Sequence, residues 1–196
     1  MLAVVLLSGC GALRPQEDPT RFYILTATAT PIAPRPAGEG EPGRLQVLLK
    51  PIELPRYLQS RSMVVRTGTN EVRFAEFERW AEPLDLAIGR VLKENLGHAP
   101  NVAGVAVNAR GDSTPDCEVV VRILACEGVR MASGGGSVRF EATWEVRHLG
   151  ADPAPAKRGE FKAEAMAWDG LDYGQLAGRL SEAVAAAANA IAADLR

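Results

Sequence analysis

The sequence predicts an α/β or α+β fold, a single domain built on a mixed β-sheet of about five or more strands flanked by two main helices. Three observations predict it. Period-two runs rich in Val, Ile, Leu and aromatic residues recur along the chain. Two apolar stripes at helical spacing stand apart from them, over about 83–97 and 172–195. The 196 residues carry no internal repeat and are enough for one sizeable core.

The elements follow in order. Arg21-Phe-Tyr-Ile-Leu25 reads as a short strand, and 27–43, with four prolines and three glycines, reads as a mobile loop that cannot be helix or central strand. Residues 45–52 form a strong strand. Residues 62–67 and 71–74 flank Gly68-Thr-Asn70, a hairpin signal. A helix is expected from Pro83 at a first helical position, with Leu84, Ile88, Val91, Leu92 and Leu96 on one face and Gly97 ending it. Strands are expected near 102–108, 118–127 and 137–148, the last two joined by Ser133-Gly-Gly-Gly136, and 158–168 alternates as a final strand. Asp172 is a fair N-cap for a helix whose stripe is Leu176, Leu180, Val184, Ala187, Ala188, Ile191 and Leu195.

Composition narrows the function. With 22 Lys+Arg against 24 Asp+Glu the net charge is −2, which lacks the basic footprint of a nucleic-acid binder. No apolar run approaches the roughly 18 residues of a membrane-spanning helix. Two histidines and three cysteines, without Cys-x-x-Cys, His-x-x-x-His or Gly-x-Ser-x-Gly, point away from zinc sites and common hydrolases. No cofactor and no metal is expected. Cys117 and Cys126 lie in one β-rich run, whose ends at ~3.3 Å per residue are roughly 30 Å apart, so they are expected to be unpaired.

The start of the chain is the most informative stretch. Leu2 to Leu7 are apolar, and Leu7-Ser8-Gly9-Cys10 matches a bacterial lipobox, in which the Cys10 thiol takes a diacylglycerol group after cleavage. Residues 1–9 are the signal peptide, with its basic n-region expected upstream of Met1; 10–20 are a Pro-rich lipidated tether; 21–196 are the domain. The competing reading of 1–10 is a buried strand ending in a core cysteine.

Between Pro55 and Leu84 the chain resembles a known family. Pro55-Arg-Tyr57-Leu58, Val64-Val-Arg66, Asn70-Glu-Val72 and Arg79-Trp80-Ala-Glu-Pro83-Leu84 occur in the order and spacing of the ABC-type transport auxiliary lipoproteins. This is the PqiC-like group associated with paraquat-inducible MCE systems. Phe22-Tyr-Ile-Leu25 is similar to that family's first strand, whereas Gln59-Ser-Arg-Ser62 stands where members often carry an acidic residue and a proline. The resemblance implies a mixed sheet flanked by helices. It also implies a non-catalytic periplasmic subunit, lipid-anchored at the periplasmic face of the outer membrane of a Gram-negative bacterium, beside an MCE protein and an ABC permease and ATPase that move lipid. Gly11 after the lipidated cysteine agrees with outer-membrane sorting.

Tyr57, Leu58 and Arg66 are the candidates for partner contact, as an exposed tip at a strand end; core or loop-fixing duty is an equal alternative. Pro55, Asn70, Trp80 and Pro83 are read as structural, Trp80 as core rather than as an interface anchor. Arg66, Glu71, Glu76, Glu78 and Arg79 read as a solvated charged face. Besides the MCE protein, the transporter and the outer-membrane lipid, self-association is a further partnership to consider. The alternatives are an unrelated outer-membrane assembly lipoprotein, a periplasmic hydrolase, which would need a converging Ser, His and acid, and a small-molecule binder with a closed apolar cavity.

Overall fold

The computed structural model describes residues 17–28, 43–107, 114–132, 134–150 and 155–196. The 1–9 leader, Cys10 with the tether up to residue 16, and 29–42 of the 27–43 loop lie outside the described residues. In chain order the elements are β1 (Arg21–Tyr23), β2 (Leu45–Leu49), a 3-10 turn (Arg56–Leu58), β3 (Ser62–Gly68), β4 (Glu71–Trp80), α1 (Leu84–Gly97), β5 (Val102–Ala106), β6 (Cys117–Arg130), β7 (Gly136–His148), β8 (Lys157–Lys162), β9 (Ala167–Trp168) and α2 (Tyr173–Asp194).

The sheet is organised by β6 and β7, an antiparallel pair along their whole length. On its other side β6 takes two strands in tandem, both parallel to it: β2 beside Cys117 to Val119, and β3 beside Gly128 and Val129. A single bridge between Glu53 and Arg122 fills the gap. The sheet therefore forks, with β5 beyond β2 and with β4 and then β1 beyond β3. β7 in turn pairs with β8 along one half and with β9 at its start. Among the described residues nine strands mix parallel and antiparallel pairs around two helices, the α+β domain that the alternating pattern calls for.

One face of β6–β7 is the core. Val119, Val121, Ile123, Cys126, Phe140, Ala142, Trp144 and Val146 are all buried beneath the helices. The inward set is odd-numbered up to Ile123 and even-numbered from Cys126, because a register shift between Ile123 and Ala125 inserts one residue. Leu124 is that residue, and it is half exposed. At Gly128 the Trp168 ring and Leu176 occupy the place of a side chain, with a Cβ there only 2.7 Å from the ring. At Gly159 the Trp144 ring does the same at 2.3 Å, which lets the indole reach Asp194 of α2 with a 2.8 Å hydrogen bond. Both glycines are close approaches that no other residue permits.

The helices form for the reasons read from the sequence. Leu84, Ile88, Val91, Leu92 and Leu96 are buried in α1, and the whole α2 stripe from Leu176 to Leu195 is buried. The Asp172 carboxylate accepts from the backbone N–H of Gly174 and Gln175, an N-cap. Pro83 is the residue before the first turn rather than the first helical residue; its carbonyl starts the helix by accepting from the Ala87 N–H. The expected strand 158–168 is two strands, because between Lys162 and Ala167 the chain has one residue more than β7 between Glu141 and Ser137. The regular ladder is interrupted at 163–166, although the Ala163 N–H still donates to the Phe140 carbonyl and the Met166 carbonyl accepts from the Val138 N–H. β4 runs six residues past the expected 71–74, to Trp80, despite its exposed charges, because β3 on one side and β1 on the other complete its hydrogen bonds. Cys117 and Cys126 lie on the single strand β6 as free, buried thiols.

Candidate partner-binding surface

The face of β6–β7 turned away from the helices is polar, and one carboxylate at its centre organises the expected contact residues. Glu127 follows the inserted residue, so it points outward opposite Arg139, yet its side chain is 0% exposed. Arg66 on β3 donates from Nε to Glu127 Oε1 at 2.6 Å and from Nη1 to the Thr69 carbonyl at 2.9 Å, tying the sheet centre to the β3–β4 turn. Arg139 adds a second cation 3.7 Å from the same oxygen and is itself paired with Glu141, which also meets Lys162 at 3.3 Å. The hydrogen bond from Arg139 holds the Glu141 carboxyl below its usual range.

Tyr57 roofs this cluster. Its hydroxyl sits 3.5 Å from the carbonyl of Leu124, the residue that the bulge leaves without a cross-strand partner. Burial, and after it the neighbouring Glu127 charge, push the phenol up to about 12. The 3-10 turn that presents Tyr57 starts at Pro55, whose carbonyl accepts from the Leu58 N–H. Leu58 turns inward and is 1% exposed, so the outer edge of this turn is made by Arg56 and part of Tyr57 and not by a Tyr57–Leu58 pair. Asn70 is exposed in the β3–β4 turn, and Trp80 is 3% exposed, in the core.

The charged residues read as one face divide among separate partners. Arg66 meets Glu127, Arg73 meets Glu71, and Glu78 is held by Arg21 and by the Tyr23 hydroxyl, both at 2.6 Å. Glu127 and Arg139 were missed by sequence reading. The available signal was an acidic residue inside the apolar run Cys126-Glu-Gly-Val129, but a strand of unbroken parity would turn it toward the core. Only the inserted Leu124 places it on the outer face.

Elsewhere, a groove of about 420 Å³ opens between the C-terminal ends of α1 and α2, bordered by Asn95, His98, Asn101, Asn189 and Arg196. His98 Nδ1 lies 2.6 Å from the Glu94 carbonyl, and the buried Ser181 hydroxyl donates to the Ala177 carbonyl while accepting from the Thr26 N–H at 3.1 Å. Among the described residues, no three His, Cys, Asp or Glu side chains gather as metal ligands, and no helix is long and apolar enough to cross a membrane.

A mixed sheet carrying two helices on one face and a salt-bridged polar surface on the other defines an α+β domain. The chain belongs to the family of ABC-type transport auxiliary lipoprotein components, whose model matches residues 23–192. Two crystal structures share the fold. One, of an uncharacterised protein, is 19% identical with TM-score 0.68, covering 90% of this chain and 99% of the other. The second, a Xanthomonas campestris protein of family DUF330, is 16% identical with TM-score 0.67, covering 88% and 93%. A fainter similarity, 10% identity and TM-score 0.39 over 76% of this chain and 89% of the other, is to the PelC dodecamer of Paraburkholderia phytofirmans. No curated protein matches.

Proposed function

We propose that this chain is a lipid-anchored periplasmic subunit of an ABC/MCE-type system for lipid transport and envelope integrity, acting by protein–protein binding and not by catalysis. The observation that carries the reading is family membership over nearly the whole domain. The Leu7-Ser8-Gly9-Cys10 motif supports acylation of Cys10, with 1–9 as the leader, 10–20 as the tether and 21–196 as the domain at the outer membrane. Its partners are an MCE-family protein with the ABC permease and ATPase, and self-association is compatible with this role.

Partner contact is assigned to the outer edge of the Tyr57 turn and the adjoining Arg66, with Leu58 supporting the turn from below. Reversing the charge at Arg66 would place an anion against the buried Glu127, so Tyr57 is the informative position. Tyr57→Ala is expected to weaken co-purification with the MCE partner by ~2 kcal/mol, roughly thirtyfold, without unfolding the protein. Trp80→Ala is expected to lower stability by ~3 to 5 kcal/mol as a core truncation. Unchanged partner binding in the folded Tyr57→Ala variant moves the contact to another face. For the anchor, Cys10→Ser should shift the protein from the membrane to the soluble periplasmic fraction; membrane retention of that variant without partners overturns the lipobox reading.

A further inference from the structure

The place where the described chain joins the sheet determines which end of the domain faces whatever holds its start. β1 runs parallel to β4, and β4 leads away from the β3–β4 turn. Residues before Arg21 therefore lead back toward the end of the sheet that carries the β3–β4 and β6–β7 turns. Trp168 pairs with Gly136 at the start of β7, so the N-terminal end of α2, capped by Asp172 four residues on, is at this end as well.

Here two loops are locked together. Arg130 donates to the Gly170 carbonyl at 2.7 Å, and a Cβ on Gly170 would lie 3.2 Å from the Gly135 carbonyl oxygen, so the 169–172 loop rests on the β6–β7 turn. Asp169 fixes the loop's course by accepting from the backbone N–H of Leu171 and of Asp172, both at 2.7 Å. This arrangement leaves Leu171 76% exposed, more than any other large apolar residue described, with Met131 at 50% on the adjoining turn.

Reach decides what these side chains can meet. From Cys10 to Arg21 the chain spans at most about 40 Å when fully extended. β6, with 14 residues, separates the two ends of the sheet by roughly 45 Å. Arg21 pairs with Glu78, level with the later half of β6, so a bilayer holding Cys10 meets the Leu171 and Met131 end with the tether slack, whereas the opposite end, where Leu149 is exposed, lies roughly 30 Å off and needs the tether nearly extended.

We propose that the loop end bearing Leu171 and Met131 rests on the lipid bilayer, its two apolar side chains entering the interface and orienting the tethered domain. This rests on the reading of Cys10 as the lipid anchor.

The test supplies the tether independently. The Cys10→Ser chain, with an N-terminal hexahistidine tag, is held on phosphatidylethanolamine–phosphatidylglycerol vesicles containing a nickel-chelating lipid. An environment-sensitive thiol dye is placed by Ala132→Cys next to Met131, or by Leu149→Cys at the far end. Native Cys117 and Cys126 are buried, with thiol pKa values pushed up by burial to about 11 and about 12, so in the folded chain the dye marks only the introduced site.

The dye at 132 should shift to the blue and be quenched by brominated lipid, the dye at 149 should do neither, and adding Leu171→Asp should abolish the response at 132. Equal responses at both sites, or none at 132, overturn the proposal. The mass of the membrane-extracted wild-type chain reports separately on acylation at Cys10, so a missing diacylglycerol would defeat the anchor reading without being mistaken for failure of the loop contact.

Discussion

Glu127 and Glu145 both point outward from the central β6–β7 pair, and each is held by two arginines, yet they occupy different physical regimes. Glu127 is fully buried, and its arginines, Arg66 and Arg139, are themselves largely covered, with side chains 21% and 39% exposed. Glu145 meets Arg147 at 2.6 Å and Arg158 at 3.0 Å, but those arginines are 55% and 78% exposed. The contact distances are alike. The difference lies in what replaces a lost partner: Glu145, 13% exposed, keeps an edge open to water and its arginines are hydrated, whereas Glu127, 0% exposed, lies beneath Tyr57 and the neighbouring strands. Equal salt-bridge geometry is therefore no guide to equal worth.

The sharpest way to break this comparison is Arg66→Ala. It removes the 2.6 Å partner of a fully buried carboxylate, for which a loss of about 3 to 5 kcal/mol is typical. Arg139, at 3.7 Å, moderates the loss without replacing the hydrogen bond. Urea denaturation should show the midpoint falling steeply at unchanged slope. A midpoint close to wild type would mean that Glu127 is not the buried anion described here.

The next variant separates the worth of the pair from the harm of breaking it. Replacing Arg66 by Met and Glu127 by Leu together removes both charges while keeping much of the volume. Buried pairs replaced in this way are often neutral or gain about 1 to 4 kcal/mol. The double variant should recover most of what Arg66→Ala loses. If it does so and yet fails to bind the MCE partner, the cluster serves recognition; if it binds normally, the cluster shapes the fold alone.

The sequence made most of the fold legible because periodicity records burial directly. The α1 and α2 stripes, the Asp172 cap, the Gly68 to Asn70 turn and the continuity of β6 could each be read locally. What escaped depends on contacts between distant residues. The inserted Leu124 changes the parity of β6 by one, and nothing in Ile123-Leu-Ala-Cys126 distinguishes it from its neighbours. That single residue places Glu127 on the outer face, and so assembles Tyr57, Arg66 and Arg139 from three separate segments. The break at 163–166 was equally hidden, because the alternation of 158–168 continues across it. Of the contact candidates, Tyr57 and Arg66 do meet in space, but the inward turn of Leu58 is set by a 3-10 geometry whose signal is only the preceding Pro55.

Alkaline titration sharpens the comparison from the roof of the cluster. The Tyr57 phenol is pushed up to about 12 in the folded chain against an ordinary value of 10.0. A raised folded pKa contributes stability that is complete below pH 10 and is lost as pH rises toward 12, since the unfolded chain releases its proton first. Tyr23, raised similarly by burial and by its hydrogen bond to Glu78, contributes over the same window. Tyr57→Phe should therefore flatten part of the fall in stability between pH 10 and 12, and Tyr23→Phe another part. A Tyr57→Phe profile identical to wild type would show that the hydroxyl is freely solvated.

The smallest effect is expected at the other carboxylate. Glu145→Ala removes two ion pairs at once, but both arginines remain well hydrated and regain freedom of their side chains. The hydrogen bonds from Arg147 and Arg158 lower the pKa of Glu145 below its ordinary value of 4.5, so its contribution is present above that pH and disappears as pH falls through the lowered value. At neutral pH the denaturation midpoint of Glu145→Ala should stay within experimental error of wild type, and adding salt should narrow any remaining gap, because exposed charges are screened. The acid limb should show the variant and wild type converging as the wild-type carboxylate takes up its proton. A loss as large as that of Arg66→Ala, insensitive to salt, would mean that Glu145 is as dry as Glu127, and exposure of the flanking arginines would no longer distinguish the two sites.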